Sequence, residues 1–465
     1  MGGIILKQTI QEYLLGLSGK RIAVVGLGIS NRPLVRLLLQ AGLPVLACDK
    51  TPREKLDQAA LDLEAQGATL RLGPDYLENL DADVIFRTPG LHPDTPGLKA
   101  AVERGAELTS EMEAFFRVCP CPILAVTGSD GKTTTTTLIA KLLEQAGKTV
   151  WLGGNIGHPL LAEAEKIRPD DVAVLELSSF QLLTMDQSPQ VALVTNLAPN
   201  HLDIHKDMDE YVTAKKNIFL AQGPADRLVL NLDNEITRGF AVEARGQVSW
   251  FSRQTRPDRG VYLRGSAICR VTQAGEQAVL DRSDLLLPGD HNVENFMAAM
   301  AAVEGLVPDE AILEVAKTFA GVAHRIERIR VKDGVTWYND SIASSPSRTI
   351  AGLRSFETPV ILIAGGYDKH IPYDVLGPEM LAHVKRLILT GDTAPKIRAA
   401  LEQTPGYHGQ IPIHDVQDLA AAVKLADETA SAGDVVILSP ASASFDHFKN
   451  FEQRGNVFRQ LVLDL

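Results

Sequence analysis

Cysteine is scarce in this chain of 465 residues: Cys48, Cys119, Cys121 and Cys269 are all there is. No C-x-x-C pair occurs among them, which argues against a zinc site or a disulfide framework. Cys119-Pro-Cys121 reads as a short linker carrying two thiols in preference to a redox pair, and a reducing cytoplasm is the expected compartment. Long apolar runs are missing as well; none approaches the ~18 residues that a membrane span needs. The opening MGGIILKQTIQEYLLGLSGKR spreads its apolar residues helically between Lys, Gln and Glu. It lacks the successive basic, apolar and small-residue regions of a secretory leader, so neither export nor membrane insertion is expected. Positive charge is in deficit too. A net charge of −12 disfavours a dedicated nucleic-acid surface, though not small anionic ligands, which need only local donors.

What is present is a regular alternation of strand-like and helical segments, the mark of α/β architecture with parallel sheets. The chain is too long for one core and suggests roughly two to four domains. RIAVVGLG (21–28), PVLACDK (44–50) and ADVIFRTPG (82–90) read as strands of a first series, with a helix over 32–42. A second series begins at PILAVTG (122–128), continues through a helix over 137–147, and adds strands over 171–179, 190–199 and 226–233. Shorter β-rich excursions over 248–282 precede a helix over 291–305. A third series follows HRIERIRVKDG (324–334), with strands over 358–366, 384–392 and 433–441. Boundaries near 112 and 321 give three α/β domains: 1–111, 112–320 and 321–465.

AVTGSDGKTTTTT (125–137) raises the question of a phosphate site, and on its own it names no reaction. A full P-loop reads G-x-x-x-x-G-K-[ST], and here Val126 stands where its first glycine belongs. The remaining Gly128-x-x-Gly131-Lys132-Thr133 is a truncated loop between a buried-looking strand and a helix that starts at about Lys132. Glycines let backbone N–H groups approach an oxyanion at the helix start. Lys132 can reach terminal phosphates and the Thr133 hydroxyl can meet Mg²⁺. The plain alternative is a strand–turn–helix capped by threonine.

Other stretches take their meaning from that loop. Glu176 in LELSSFQL (175–182) sits near a strand's carboxyl end, where α/β sheets bind ligands, and could complete the shell of a phosphate-bound Mg²⁺. Taken alone it would be a solvated strand-end acid. His201, Asp203 and His205 form an H-x-D-x-H pattern on an expected loop, without an apparent fourth ligand for zinc. The adjacent Lys215 and Lys216 read as a solvated helix face. GLGISN (26–31) is a partial dinucleotide fingerprint in which Asn31 replaces the third glycine, with Asp49 beyond it.

Together these stretches resemble the Mur ligase family of ATP-dependent amide-forming enzymes over essentially the whole chain. GSDGKTTT (128–135), GGNIG (153–157), LELSSFQL, NHLD (200–203), AKKNIF (214–219), GDHNVEN (289–295), HRIE (324–327) and NDSIASSP (339–346) occur in the family's order. GLGIS, GGYDKHIPYD (365–374) and SPASASFDHFKNFEQRG (439–455) resemble its D-glutamate-adding branch, in peptidoglycan precursor synthesis. The resemblance implies an N-terminal Rossmann-like UDP-binding domain, a central ATP-binding parallel sheet and a C-terminal Rossmann-like domain for the amino acid. It implies that Gly128, Ser129, Asp130, Gly131, Lys132, Thr133 and Thr134 meet ATP phosphates, with Asn292 and Asn295 at the adenine, Arg325 at the phosphates and Asp340 at the ribose. Thr133 and Glu176 would serve one Mg²⁺; His201, and Lys215 as a CO₂-derived carbamate, would serve a second. Gly28, Ile29, Ser30, Asp49, Lys50 and Gly90 would surround UDP, with Asn155 and His201 toward the diphosphate or sugar. Ser344, Lys369, Ser444 and Phe451 match the D-glutamate pocket. Many members of this branch read N-D-S-K-A-T-N where this chain places Ile342 and Ser344. Arg348 or Lys369 would then have to supply the charge that the lysine brings.

The implied reaction phosphorylates the carboxylate of UDP-N-acetylmuramoyl-L-alanine, after which the D-glutamate amine displaces phosphate. Lys132 and two Mg²⁺ would neutralise charge without a protein nucleophile. A monomer is expected. The alternatives are a sister ligase or folylpolyglutamate-type enzyme using another amino acid, a nucleotide-binding regulator without catalysis, and an NAD-dependent dehydrogenase. The last leaves two domains unexplained.

Overall fold

The computed structural model describes residues 8–28, 30–198, 205–369 and 371–465. Ile29, His201 and Asp203 lie outside the described residues. Short apolar runs build three sheets. The first contains β1 (Ile22–Val25), β2 (Val45–Asp49), β3 (Thr69–Leu72), β4 (Val84–Arg87) and β5 (Glu107–Thr109), all parallel, in the order β3-β2-β1-β4-β5. β1 and β4 are buried along their whole length, as parallel strands covered on both faces are. The chain steps outward from β1 to β3 and returns on the far side of β1 at β4. Such a reversal opens a crevice at the carboxyl ends of the two central strands.

The second sheet holds β6 (Ile123–Thr127), β7 (Val150–Gly154), β8 (Val172–Glu176), β9 (Val191–Val194), β10 (Arg227–Asn231), β11 (Gln247–Ser252), β12 (Gly260–Arg264), β13 (Ala267–Thr272) and β14 (Gly275–Asp281). Their order is β14-β13-β12-β11-β10-β9-β6-β8-β7. It is parallel from β7 across to β12, and the β-rich excursions of the sequence supply the parallel strand β11 and the antiparallel edge β12–β14. β6 leads to β7 on one side, and β9 then lies on the other. The turn after β6 therefore opens into the second crevice.

The third sheet contains β15 (Glu327–Lys332), β16 (Val335–Asn339), β17 (Val360–Ala364), β18 (Val384–Leu389), β19 (Ile413–Asp415) and β20 (Val435–Leu438), in the order β15-β16-β20-β17-β18-β19. HRIERIRVKDG, read from the sequence only as a lead-in, supplies β15, which returns antiparallel as β16. Asp333 and Gly334 both take positive φ, 50° and 80°, as the two central residues of a tight hairpin turn require.

Two compact units emerge. One runs to Arg282 and includes Glu294–Val315; it carries the first two sheets, whose cores merge around Val24, Phe86, Phe115 and Leu175. The other is Ser283–Val293 with Ala316–Leu465 and carries the third sheet, with apolar layers on both faces. Among the described residues no helix is long and apolar enough to cross a membrane.

Candidate functional site

The turn after β6 is shaped by its neighbours. Gly131 caps the helix Lys132–Gln145 in the left-handed conformation, φ 76°, and Gly128 has φ 148°. A Cβ at Gly128 would collide with Thr195 Oγ1, and one at Gly131 with Asn295 Oδ1. Only glycine lets the backbone run this close to both. The Ser129 N–H donates to the Asn196 carbonyl at 2.8 Å and the Asp130 N–H to Asn196 Oδ1 at 3.0 Å, while Thr195 Oγ1 donates to the Asp130 carbonyl at 2.6 Å. Lys132 Nζ folds across its own turn, donating to the Gly128 and Ser129 carbonyls at 2.9 and 2.8 Å. Thr134 is buried in the first helical turn, and Thr135 Oγ1 donates to Asn295 Oδ1 at 3.3 Å. A helix start and an ammonium group thus converge on one small volume, a setting suited to phosphate oxygens.

Beside it, Glu176 ends β8 at 1% exposure, which rules out the solvated strand-end acid. Its Oε2 accepts the Thr133 hydroxyl at 2.7 Å and its Oε1 accepts Asn155 Nδ2 at 2.7 Å. The Asn155 N–H also binds the Glu176 carbonyl at 2.7 Å, so the ends of β7 and β8 are tied together. A hydroxyl and a carboxylate are hard oxygen donors, the set that Mg²⁺ takes next to phosphates.

Lys215 overturns the reading of the lysine pair as a solvated face. On the helix Met208–Lys216 it shares the buried side with Tyr211 and Ala214, at 2% exposure. Its Nζ lies 3.0 Å from Thr127 Oγ1 and 5.0 Å from the centre of the Tyr211 ring, with no carboxylate within ion-pair distance among the described residues. Burial, reinforced by the Lys132 charge and partly opposed by Glu176, holds its amine well below the usual lysine range. Lys216, one position on, pairs with Glu243 at 2.5 Å on the outer face.

His205 is buried, with its Nδ1 3.4 Å from Glu210 Oε2. Its ring stacks on Phe180 at 5.1 Å and its Nε2 is 2.8 Å from Ser179 Oγ. Among the described residues no cluster of His, Cys, Asp and Glu is arranged to hold a metal ion by itself. Cys119 and Cys121, with sulfurs 3.5 Å apart, are buried in the core of the first unit.

The first sheet's crevice collects Gly28, Ser30, Asp49, Lys50 and Gly90 at the carboxyl ends of β1, β2 and β4. Asp49 is held by the Leu27 and Thr51 N–H groups at 2.7 and 2.8 Å. Asn31 Nδ2 donates to the Val25 and Gly26 carbonyls at 3.1 and 2.9 Å, filling the place where a third glycine would bring helix and strand together.

Sequence reasoning does not single out Arg87, although an arginine closing an apolar strand just before Thr-Pro-Gly is a signal that marks it. Fully buried at the end of β4, it donates to the Pro89 and Leu91 carbonyls at 3.2 and 3.0 Å, and so grips the loop that contains Gly90. Its other amine reaches the Phe180 carbonyl at 2.8 Å and Thr184 Oγ1 at 3.1 Å. One guanidinium thus links the first crevice to the segment just beyond Glu176.

The second unit holds the remaining candidates. Asn292 Nδ2 donates to the Pro288 carbonyl at 2.6 Å, whereas Asn295 falls in the first unit and lies against the glycine turn described above. Asp340 is buried, accepting Ser439 Oγ at 2.7 Å and the Ile326 N–H at 3.3 Å; burial pushes its carboxyl up to about 7, against these hydrogen bonds and the charge of the nearby Arg325. Ser444 is buried, Ser344 partly so, and Phe451 meets the His324 ring edge-on at 6.1 Å. Lys369 is exposed, its Nζ 5.8 Å from the Phe445 ring centre. Arg348 donates to the Ile342 carbonyl at 3.2 Å, which puts a cation beside the turn that carries Ile342.

The sequence matches the Mur ligase middle domain over residues 126–303 and the Mur ligase glutamate ligase domain over residues 324–442. It is 54% identical to a UDP-N-acetylmuramoylalanine--D-glutamate ligase of Acetivibrio thermocellus, over 97% of this chain and 98% of the relative. Relatives of the same name from Clostridium kluyveri and Ruminiclostridium cellulolyticum are 50% and 48% identical, covering 99% of this chain and 100% of their own length. The fold is similar to that of the UDP-N-acetylmuramate-alanine ligase of Thermotoga maritima, with a TM-score of 0.58 at 18% identity over 96% of this chain and 99% of that one. With both family domains in order and this identity along nearly the full length, the chain belongs to the Mur ligase family.

Proposed function

We propose that this chain joins D-glutamate to UDP-N-acetylmuramoyl-L-alanine, cleaving ATP to ADP and phosphate. The observation that carries the reading is the Thr133–Glu176 pair at the mouth of a glycine turn that also presents Lys132, in a chain about half identical to ligases of that name. A carboxylate and an amine do not condense in water without activation. Transfer of a phosphoryl group from ATP to the L-alanyl carboxylate gives an acyl phosphate. The D-glutamate amine adds to its carbonyl carbon, loses a proton, and phosphate departs with the C–O bonding pair.

Both substrates and ATP are anionic, so the chain's main task is to position them and offset charge. Lys132 and the N–H groups at the start of the helix Lys132–Gln145 would hold the terminal phosphates. Thr133 and Glu176 would hold one Mg²⁺, whose charge lowers repulsion between the carboxylate and the phosphoryl group. Lys215 is suited to carbamylation, since a neutral amine can add to CO₂ and release a proton. The product is an anionic oxygen ligand, which with His201 would serve a second ion. The first crevice, with Gly28, Ser30, Asp49, Lys50 and Gly90, would take UDP, and Asn155 would face the sugar side. Residues 1–111, 112–320 and 321–465 would then act as UDP, ATP and amino-acid domains. Asn292, Asn295, Arg325 and Asp340 would complete the ATP contacts.

The test is phosphate release with ATP, Mg²⁺ and UDP-N-acetylmuramoyl-L-alanine, comparing D-glutamate, L-glutamate, L-lysine and glycine. Turnover with D-glutamate alone is expected. Turnover with another of the four moves the chain to a sister branch, and silence with all of them refutes the assignment.

A further inference from the structure

Arg454 lies in the first turn of the helix Phe451–Leu463, yet it is only 3% exposed and forms no hydrogen bond to a carboxylate among the described residues. Every nitrogen is nevertheless used. Nε donates to Ser341 Oγ at 3.0 Å, one amine to the Ala443 carbonyl at 3.0 Å, and the other to the Ser341 and Ser442 carbonyls at 2.9 and 3.1 Å. Two of these partners pass the connection on. The Ala443 carbonyl also accepts the Tyr367 N–H at 3.0 Å, and Ser341 Oγ donates to the Phe451 carbonyl at 2.8 Å.

Four segments therefore meet at one guanidinium: the turn after β16, the turn after β17, the turn after β20, and the start of the helix that bears Arg454. Ser344, Lys369, Ser444 and Phe451 stand within three residues of these contacts, one on each segment. We infer that Arg454 is the positioning residue of the amino-acid pocket, fixing in one frame the segments that present those four side chains to D-glutamate. This role rests on the ligase reading above. A planar fork of five donors can satisfy three carbonyls and a hydroxyl at once, which a lysine ammonium cannot. Burial lowers the guanidinium to about 10, against the attraction of Asp446 and Asp340, so it remains charged at neutral pH. Its field adds positive potential where these segments meet, which suits an amino acid with two carboxylates.

The experiment is steady-state phosphate release by the full chain, with each substrate varied in turn, for wild type, Arg454→Lys and Ser341→Ala. Arg454→Lys keeps the charge and loses the fork; the expected result is a KM for D-glutamate raised about tenfold or more, with the KM values for ATP and the UDP substrate within about twofold of wild type. Ser341→Ala removes both hydroxyl links and should raise the same KM by about three- to tenfold. If Arg454→Lys does not fold, Ser341→Ala alone decides the role. A rise shared by all three substrates, or no change in the D-glutamate KM, overturns it. Wild type that releases no phosphate with D-glutamate refutes the ligase reading itself, before any variant is compared.

Discussion

The Thr133 hydroxyl donates to Glu176 Oε2 at 2.7 Å although 43 positions separate the two residues. One stands in the first turn of the helix after β6, the other at the end of the neighbouring strand β8, so adjacency in the sheet supplies what the sequence distance hides. As a pair of oxygen donors they are suited to one divalent ion. Thr133→Val should raise the Mg²⁺ concentration for half-maximal phosphate release by about tenfold, and by taking the donor from the buried Glu176 Oε2 it should lower stability by about 1–3 kcal/mol. A Mg²⁺ titration that superimposes on wild type would remove Thr133 from the metal site.

Lys132→Ala tests the phosphate turn directly. The ammonium is the only lysine charge on the turn, and its loss should reduce ATP turnover by at least about two orders of magnitude. Because Nζ bonds to carbonyls of its own loop, circular dichroism and thermal unfolding should stay close to wild type. Near-normal turnover would refute the assignment of residues 128–134 to phosphate.

Gly128→Ala separates backbone shape from charge. The added methyl meets Thr195 Oγ1 in a backbone conformation that L-residues rarely adopt, at a cost of about 1–3 kcal/mol from strain alone. Both the melting temperature and the affinity for ATP should fall, whereas Gly147→Ala, left-handed but with open space around it, should lower stability and leave ATP affinity intact. Equal effects of the two on ATP affinity would show that the turn makes no special demand.

Much of this is legible in the chain, for physical reasons that differ by element. Buried parallel strands such as β6, β8 and β17 are continuous apolar runs, which locates each within a few residues. β3, β5 and β7 give no such signal because their residues are short, polar or glycine-rich and their pairing is fixed only by long-range neighbours. The Asp-Gly turn between β15 and β16 is a strong hairpin signal, and it marks a strand pair that apolar runs alone do not reveal. In the site, Gly128, Gly131, Lys132 and Thr133 lie close together in sequence and can be read locally. The burial of Lys215 cannot: adjacent lysines in a helix point to different sides, and which side is inward depends on β6 lying beneath it. Arg87 and Arg454 act through backbone carbonyls of remote segments, and backbone partners leave no trace in residue identity.

Lys215→Ala should abolish activity, and formate or acetate at millimolar concentration should restore part of it by placing a carboxylate where the carbamate would lie. The same substitution should not destabilise the fold through loss of charge, because the buried amine is already held toward its neutral form. Wild-type activity should also rise with added bicarbonate in CO₂-depleted buffer. No rescue by either acid would leave the lysine without a metal-binding role.

Glu111 offers a pH test away from the site. It opens the helix Glu111–Val118 and is buried, with Oε1 accepting the Leu161 N–H at 2.9 Å. Burial, only partly offset by the backbone donors of Leu161 and Leu160, pushes its carboxyl up to about 7. The ordinary value for glutamate is about 4.3, so between that pH and about 7 the folded chain holds a proton that the unfolded chain has released. Its contribution to stability is therefore complete below about pH 4, falls as pH rises toward 7, and is flat above. Glu111→Gln keeps the acceptor for Leu161 and cannot ionise. The stability of the variant relative to wild type should increase from pH 4 to pH 7, by at most about 3 kcal/mol, and then level off. Asp340 titrates in the same range but is present in both proteins, so the difference in denaturant midpoints isolates Glu111. A difference that stays constant from pH 4 to pH 8 would mean that Glu111 titrates in the folded chain as it does in water, with solvent reaching the carboxyl beneath Leu161.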